Sequence, residues 1–157
     1  METRQTMVEQ LPEFERHLRF SRRTGLFLLL VSVAILAGGV IFPGAGVDSA
    51  PGSLIGPIYI SEMVAGFLVI ILRRAVLSSF LLGKARQKGL LTVLRNLTIM
   101  SVFGVVVAVT MALTGLVVCR LTGDYQHLIR LGGMGLLLIF YSLPRRGEWR
   151  MAVAGLE

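Results

Sequence analysis

Only one cysteine, Cys119, occurs in the 157-residue chain, which excludes an internal disulfide and any cluster of thiolate metal ligands. A lone cysteine at the end of an apolar run reads as one more apolar side chain. Histidine is nearly as scarce. His17 and His127 are expected at opposite membrane faces, so they cannot jointly ligate one haem in a monomer. The chain has no His-Glu-x-x-His pattern for a metalloprotease and no Gly-x-Ser-x-Gly turn for a serine hydrolase. Ser61 and Glu62 are adjacent, but the base and orienting group of a catalytic constellation are missing. The expected protein is therefore not an enzyme and holds no cofactor or metal.

Charge is also in short supply. Charged residues make up 16% of the chain, against about 25% in an ordinary soluble domain, and the mean hydropathy is +0.75. The apolar excess is gathered into blocks, and about 20 apolar residues suffice to cross a bilayer as a helix. The first block, Thr24–Phe42, is too long for the apolar core of a signal peptide and is expected to be retained. A Pro/Gly-rich loop around Pro43–Gly52 separates it from a second helix running from about Leu54 to Leu72, prolonged by Ala75–Leu82 to the membrane surface. Pro57 falls near the start of that helix, where a missing donor does little harm. A third span, Leu97–Val118, is preceded by a helix restart at Leu90 and followed by a Thr122-Gly123-Asp124 turn. A fourth and shorter span, Leu128–Leu143, is stopped by Pro144. The expectation is an all-α integral membrane protein with four transmembrane helices in one domain, residues 24–143.

Acidic residues number nine against sixteen Lys and Arg, a net charge of +7. The placement of this charge points to topology rather than to nucleic acid. Fourteen of the sixteen cations lie in the tail 1–23, the segment 73–96 or the tail 144–157, and only Arg120 and Arg130 fall on the other side. Basic residues accumulate on cytoplasmic loops, so both termini are expected inside, in a bacterial inner membrane. In the N-terminal tail, Met7, Leu11, Phe14 and Leu18 recur at helical spacing. A short amphipathic interfacial helix is expected to begin near Pro12 and lead into the first span.

In lipid, helices associate through small residues that let backbones approach. The third span supplies Ser101, Gly104, Ala108, Ala112 and Gly115 on one face, a candidate packing interface within the bundle or with another subunit. Gly132, Gly133 and Gly135 smooth the fourth span, and Ala34 with Gly38 forms a small pair in the first. Arg73, Arg74, Lys84, Arg86 and Lys88, in a segment without acid, are candidate cytoplasmic docking or lipid contacts.

Glu62 is the most informative side chain. It lies roughly 7–8 Å below the outer end of its helix at the usual rise per residue, and a carboxylate at that depth reads as a functional candidate. It would serve as a proton carrier or cation ligand, or else as a hydrogen-bonded structural acid. Thr98, Ser101, Thr110 and Thr114 of the third span can each bond to their own helix backbone. No second intramembrane carboxylate accompanies Glu62 unless a symmetric copy supplies one.

The stretch Gly56-Pro57-Ile58-Tyr59-Ile60-Ser61-Glu62-Met63-Val64-Ala65-Gly66-Phe67, continuing to Arg73-Arg74 and then through a basic loop to Leu94-Arg95, resembles the subunit I (AtpI-like) proteins of bacterial ATP synthases. The resemblance covers residues 22–143 in architecture. It implies a four-helix membrane accessory associated with assembly or stability of the rotor ring. The longer N-terminal tail and the acidic Glu62 depart from that family, so Glu62 inherits no role from it. The expected function is a non-enzymatic accessory or assembly subunit of a larger membrane complex. The alternative is a small homo-oligomeric channel or a cation/proton-coupled transporter using Glu62. Expected partners are membrane lipids and other membrane subunits or copies of the chain, with no nucleic acid.

Overall fold

The structure is a computed structural model that describes residues 2–41, 52–78, 83 and 89–154. Five helices are described: α1 Glu2–Ile41, α2 Gly52–Val76, α3 Leu90–Thr122, α4 Tyr125–Ser142 and α5 Arg146–Ala154. Three of them contain stretches long and apolar enough to cross a membrane, Pro12–Ile41, Ile55–Val76 and Leu91–Thr122. The chain is thus a small all-α membrane protein. α4 falls short of the same criterion, because Gln126, His127 and Arg130 occupy its first turns.

The N-terminal expectation needs correction. No separate helix begins near Pro12, because α1 runs unbroken from Glu2 and carries Pro12 inside it. The residues ahead of the proline include Glu2, Gln5, Met7, Glu9, Gln10 and Leu11. All are strong helix formers, so the helix continues on both sides of the one backbone bond that proline removes. Pro57 likewise lies beyond the first turn, since α2 starts at Gly52 rather than Leu54. At its other end α2 stops at Val76, where Ser78 Oγ and N both donate to the Ala75 carbonyl (2.5 and 3.0 Å). The expected extension through residues 79–82 lies outside the described residues.

The α3–α4 connection is legible atom by atom. Gly123 adopts φ 73°, the left-handed conformation that closes a helix without a Cβ penalty, and its N–H donates to Cys119 O at 2.8 Å. Asp124 then caps α4 by accepting from Gln126 N at 2.8 Å. A two-residue turn so capped forces α3 and α4 to run antiparallel.

α3 is the central helix, packed on α4, α1 and α2. In its most apolar stretch 44% of residues are buried, against 6% for α2, which is therefore the peripheral helix. Its buried positions 94, 97, 101, 104, 108, 111, 115 and 118 alternate steps of three and four, the seam of left-handed helix packing. α4 answers with 128, 131, 135, 138 and 142. α1 contributes Gly25, Ser32 and Gly39, seven residues apart and all buried. Gly25 faces Leu143, and Gly39 faces Leu116 and Leu128. This replaces the expected Ala34–Gly38 pair, since Ala34 is exposed and nothing stands near Gly38.

These contacts order the bundle up-down-up-down. One end, called here the turn end, gathers Gly39, Tyr59, Leu116 and Leu128. The other gathers Phe14, Leu18, Val93, Leu94 and Leu97 around α5, whose Trp149 is 2% exposed. Phe14 meets Trp149 edge to face with ring centroids 6.4 Å apart. The segment 144–157 is thus no free tail through its described part. α5 closes this end of the bundle, and the one tryptophan in the sequence was the signal for it. Between the two ends lies a second apolar cluster of Val69, Val105, Ala108, Met111, Leu138 and Ile139.

Candidate functional site

Two groups of polar side chains sit at the ends of the bundle, with that apolar cluster between them. At the turn end, Thr114 Oγ1 donates to Glu62 Oε1 at 2.7 Å. Thr114 thus turns from its own helix backbone toward α2, whereas Thr110 keeps the expected bond to Val106 O at 3.1 Å. Threonine at this level of α3 and glutamate on α2 meet because the two helices are antiparallel. One helix turn nearer the surface, Tyr59 Oη lies 2.9 Å from His127 Nδ1, a bond whose direction follows the imidazole tautomer. His127 Nε2 is in turn 3.8 Å from Asp124 Oδ2. Tyr59 and Glu62 share a face of α2 at a spacing of three. The sequence thus holds a polar ladder, Asp124–His127–Tyr59 and then Glu62–Thr114, that individual residues did not reveal.

The ladder stops there. Below Glu62, a Cβ on Gly66 would run into Met111, and the core of Val69, Val105, Ala108, Met111, Leu138 and Ile139 fills the section beneath. These six side chains offer no donor or acceptor to a proton or a hydrated ion. The polar groups buried near their level are the lone hydroxyls of Ser32 and Ser142, which have no hydrogen-bond partner among the described residues.

At the other end, Arg73 departs from its expected place on a docking surface. Its side chain is 9% exposed and its Nη2 donates to Glu148 Oε2 at 2.8 Å. It also approaches the Leu143 carbonyl (3.4 Å), and its guanidinium carbon lies 4.7 Å from the centre of the Tyr141 ring. A cation is well placed there, at the C-terminus of α4 where free carbonyls collect. The sequence missed this site because its carboxylate lies 75 residues away on α5. Arg74 is exposed, and Lys84, Arg86 and Lys88 lie outside the described residues. Nearby, Arg146 pairs with Glu15 across the α5–α1 contact, and His17 Nδ1 lies 3.2 Å from Thr98 Oγ1. His17 and His127 accordingly stand at opposite ends of the bundle.

The small-residue face of α3 packs inside the chain. Ala108 and Ala112 are fully buried and Ser101 is 6% exposed. A Cβ on Gly104 would meet Ser142 and Val69, and one on Gly115 would meet α4 at Leu128 and Leu131. Gly135 approaches the Ala108 carbonyl itself, Gly132 faces Leu36, and Gly133 has nothing near it. Among the described residues, no group of three or more His, Cys, Asp or Glu side chains is positioned to hold a metal ion.

No protein-family model, curated protein or solved structure matches the chain.

Proposed function

We propose that this chain is a non-enzymatic accessory or assembly subunit of a larger bacterial membrane complex. In this reading four helices cross the inner membrane and both termini are cytoplasmic. α4 supports the fourth crossing because it lies beside the other three along its length, from the Tyr59–His127 pair to the Gly25–Leu143 contact. Its 18 residues span about 27 Å. The distribution of Lys and Arg supports the orientation. The resemblance over Gly56–Phe67 makes a bacterial ATP synthase the first complex to look for.

The observation that carries this reading is the apolar layer between Glu62–Thr114 and Arg73–Glu148. A self-contained proton or cation transporter requires a continuous series of ionisable or ion-coordinating groups across that layer, and an accessory subunit does not. Two isolated hydroxyls, Ser32 and Ser142, do not make such a series. α2 supplies a surface for a neighbour. Ile60, Val64, Phe67 and Ile71 recur at steps of four, three and four and are 55–66% exposed, the period that a second helix can engage. Mild extraction and native mass analysis test the reading. It requires the chain to travel with a heteromeric complex.

A second reading draws on the polar ladder. A symmetric assembly of copies would bring several Glu62–Thr114 pairs together and form a cation or proton path between subunits. That reading requires flux in reconstituted vesicles and its loss in Glu62→Gln.

A further inference from the structure

An open groove of about 760 Å³ runs along α1 at the α5 end, with Thr98 of α3 on its far side. Its walls carry Arg16, Arg19 and Arg23, opposed by one carboxylate, Glu13. Arg19 leans on Glu15, whose carboxylate is already engaged by Arg146. Arg16 and Arg23 are exposed and have no hydrogen-bond or ion-pair partner among the described residues. The groove therefore presents an excess of positive charge at a fixed place, backed by the His17–Thr98 contact that ties α1 to α3.

The same face of α1 then changes character. Residues 16, 20, 23, 27 and 30 step by four and three, and beyond Arg23 they become Phe27 and Leu30, 64% and 68% exposed. Phe20, itself 57% exposed, lies in the groove between Arg16 and Arg23. Arg23 immediately precedes the apolar run that starts at Thr24, so the groove opens at headgroup level and its apolar rail descends into the hydrocarbon. Arginine suits phosphate, because its planar fork gives two parallel hydrogen bonds.

We propose that this groove binds one anionic phospholipid, with its phosphate between Arg16 and Arg23 and its acyl chains along Phe20, Phe27 and Leu30. The lipid is favoured over a soluble phosphate because only an amphiphile uses both the cationic mouth and the rail below it. It is favoured over an acidic peptide for the same reason.

The test uses the full chain in mild detergent, with bound lipid counted by native mass analysis during titration with phosphatidylglycerol or with phosphatidylcholine of the same chains. Phosphatidylglycerol should bind more tightly than phosphatidylcholine. The pair Arg16→Gln with Arg23→Gln should weaken it by about thirtyfold, the scale expected for two surface cations. The pair Arg95→Gln with Arg150→Gln, exposed residues at the same end but outside the groove, should leave it unchanged. Equal affinity for the two lipids, or equal loss in the control pair, would overturn the proposal. Displacement of the lipid by the chain-free glycerophosphoglycerol headgroup at equal concentration would make the groove a soluble-phosphate site. Equally effective displacement by a polyglutamate peptide would make it a peptide site.

Discussion

Arg73 and Glu148 are 75 residues apart in sequence and 2.8 Å apart in the fold, and their ion pair fastens α5 across the end of the bundle. Removing one partner leaves a guanidinium with 9% exposure facing no carboxylate. The Glu148 side chain is 30% exposed, so water tempers the loss below that of a fully buried pair, to about 1–3 kcal/mol. Glu148→Ala should lower the melting temperature in detergent. A double-mutant cycle with Arg73→Met should show a coupling of at least about 0.5 kcal/mol. Additive losses would mean that the two side chains do not act together.

Gly135 and Gly133 form a matched pair of probes on one helix. A Cβ at Gly135 meets the backbone carbonyl of Ala108, which cannot rotate away, whereas a Cβ at Gly133 meets nothing. Gly135→Ala should destabilise the bundle by about 1–3 kcal/mol, the range for overpacking. Gly133→Ala should be neutral or stabilising by up to about 1 kcal/mol, since alanine leaves the unfolded chain less backbone freedom to lose on folding than glycine does. Thermal unfolding monitored by circular dichroism separates the two, and equal effects would contradict the α3–α4 contact.

Topology is open to direct labelling. With Cys119 replaced by Ala, single cysteines at Asp124 and at Arg150 should react from opposite sides of intact inner-membrane vesicles, Arg150 from the cytoplasmic side. Labelling of both from one side would remove α4, the long helix between them, as a crossing helix.

Glu62 should be dispensable for conduction if the apolar layer seals the monomer. Vesicles containing the wild-type chain and vesicles containing Glu62→Gln should show the same background proton and cation flux. Glu62→Gln keeps an acceptor for Thr114, while Thr114→Val leaves the carboxylate without its donor and should cost about 1–2 kcal/mol. Specific flux abolished by Glu62→Gln would favour the oligomeric channel.

The helices were largely legible in the sequence because length and hydropathy are local properties. Leu90 as the restart of α3 and Gly123-Asp124 as its end follow from neighbouring residues alone. Which faces meet is a different matter. A helix in lipid is apolar nearly all round, so burial in protein and exposure to lipid leave little contrast in residue type. That is why Ala34 and Gly38 looked like a packing pair, although the true contact face is Gly25, Ser32 and Gly39. The heptad step among those three stands in the sequence, but nothing in residue type sets it apart from other small residues of the same run.

The polar sites were legible only as separate residues. Glu62 stood out because one carboxylate in an apolar run is costly wherever it sits. Its partner Thr114, like the pairing of Tyr59 with His127, depends on the antiparallel register of distant helices. Arg73 looked like one more cytoplasmic cation, since nothing near it in sequence shows that α5 folds back with Glu148 and Trp149.

The central proposal is that this chain works as part of a heteromeric membrane complex. Native mass analysis of the tagged chain after mild extraction from its own membranes tests it most directly. The expected result is a species whose mass is not a multiple of the chain's own, containing other membrane subunits, and whose yield falls in Phe67→Ala on the exposed face of α2. A chain that appears only alone or as multiples of its own mass would contradict it.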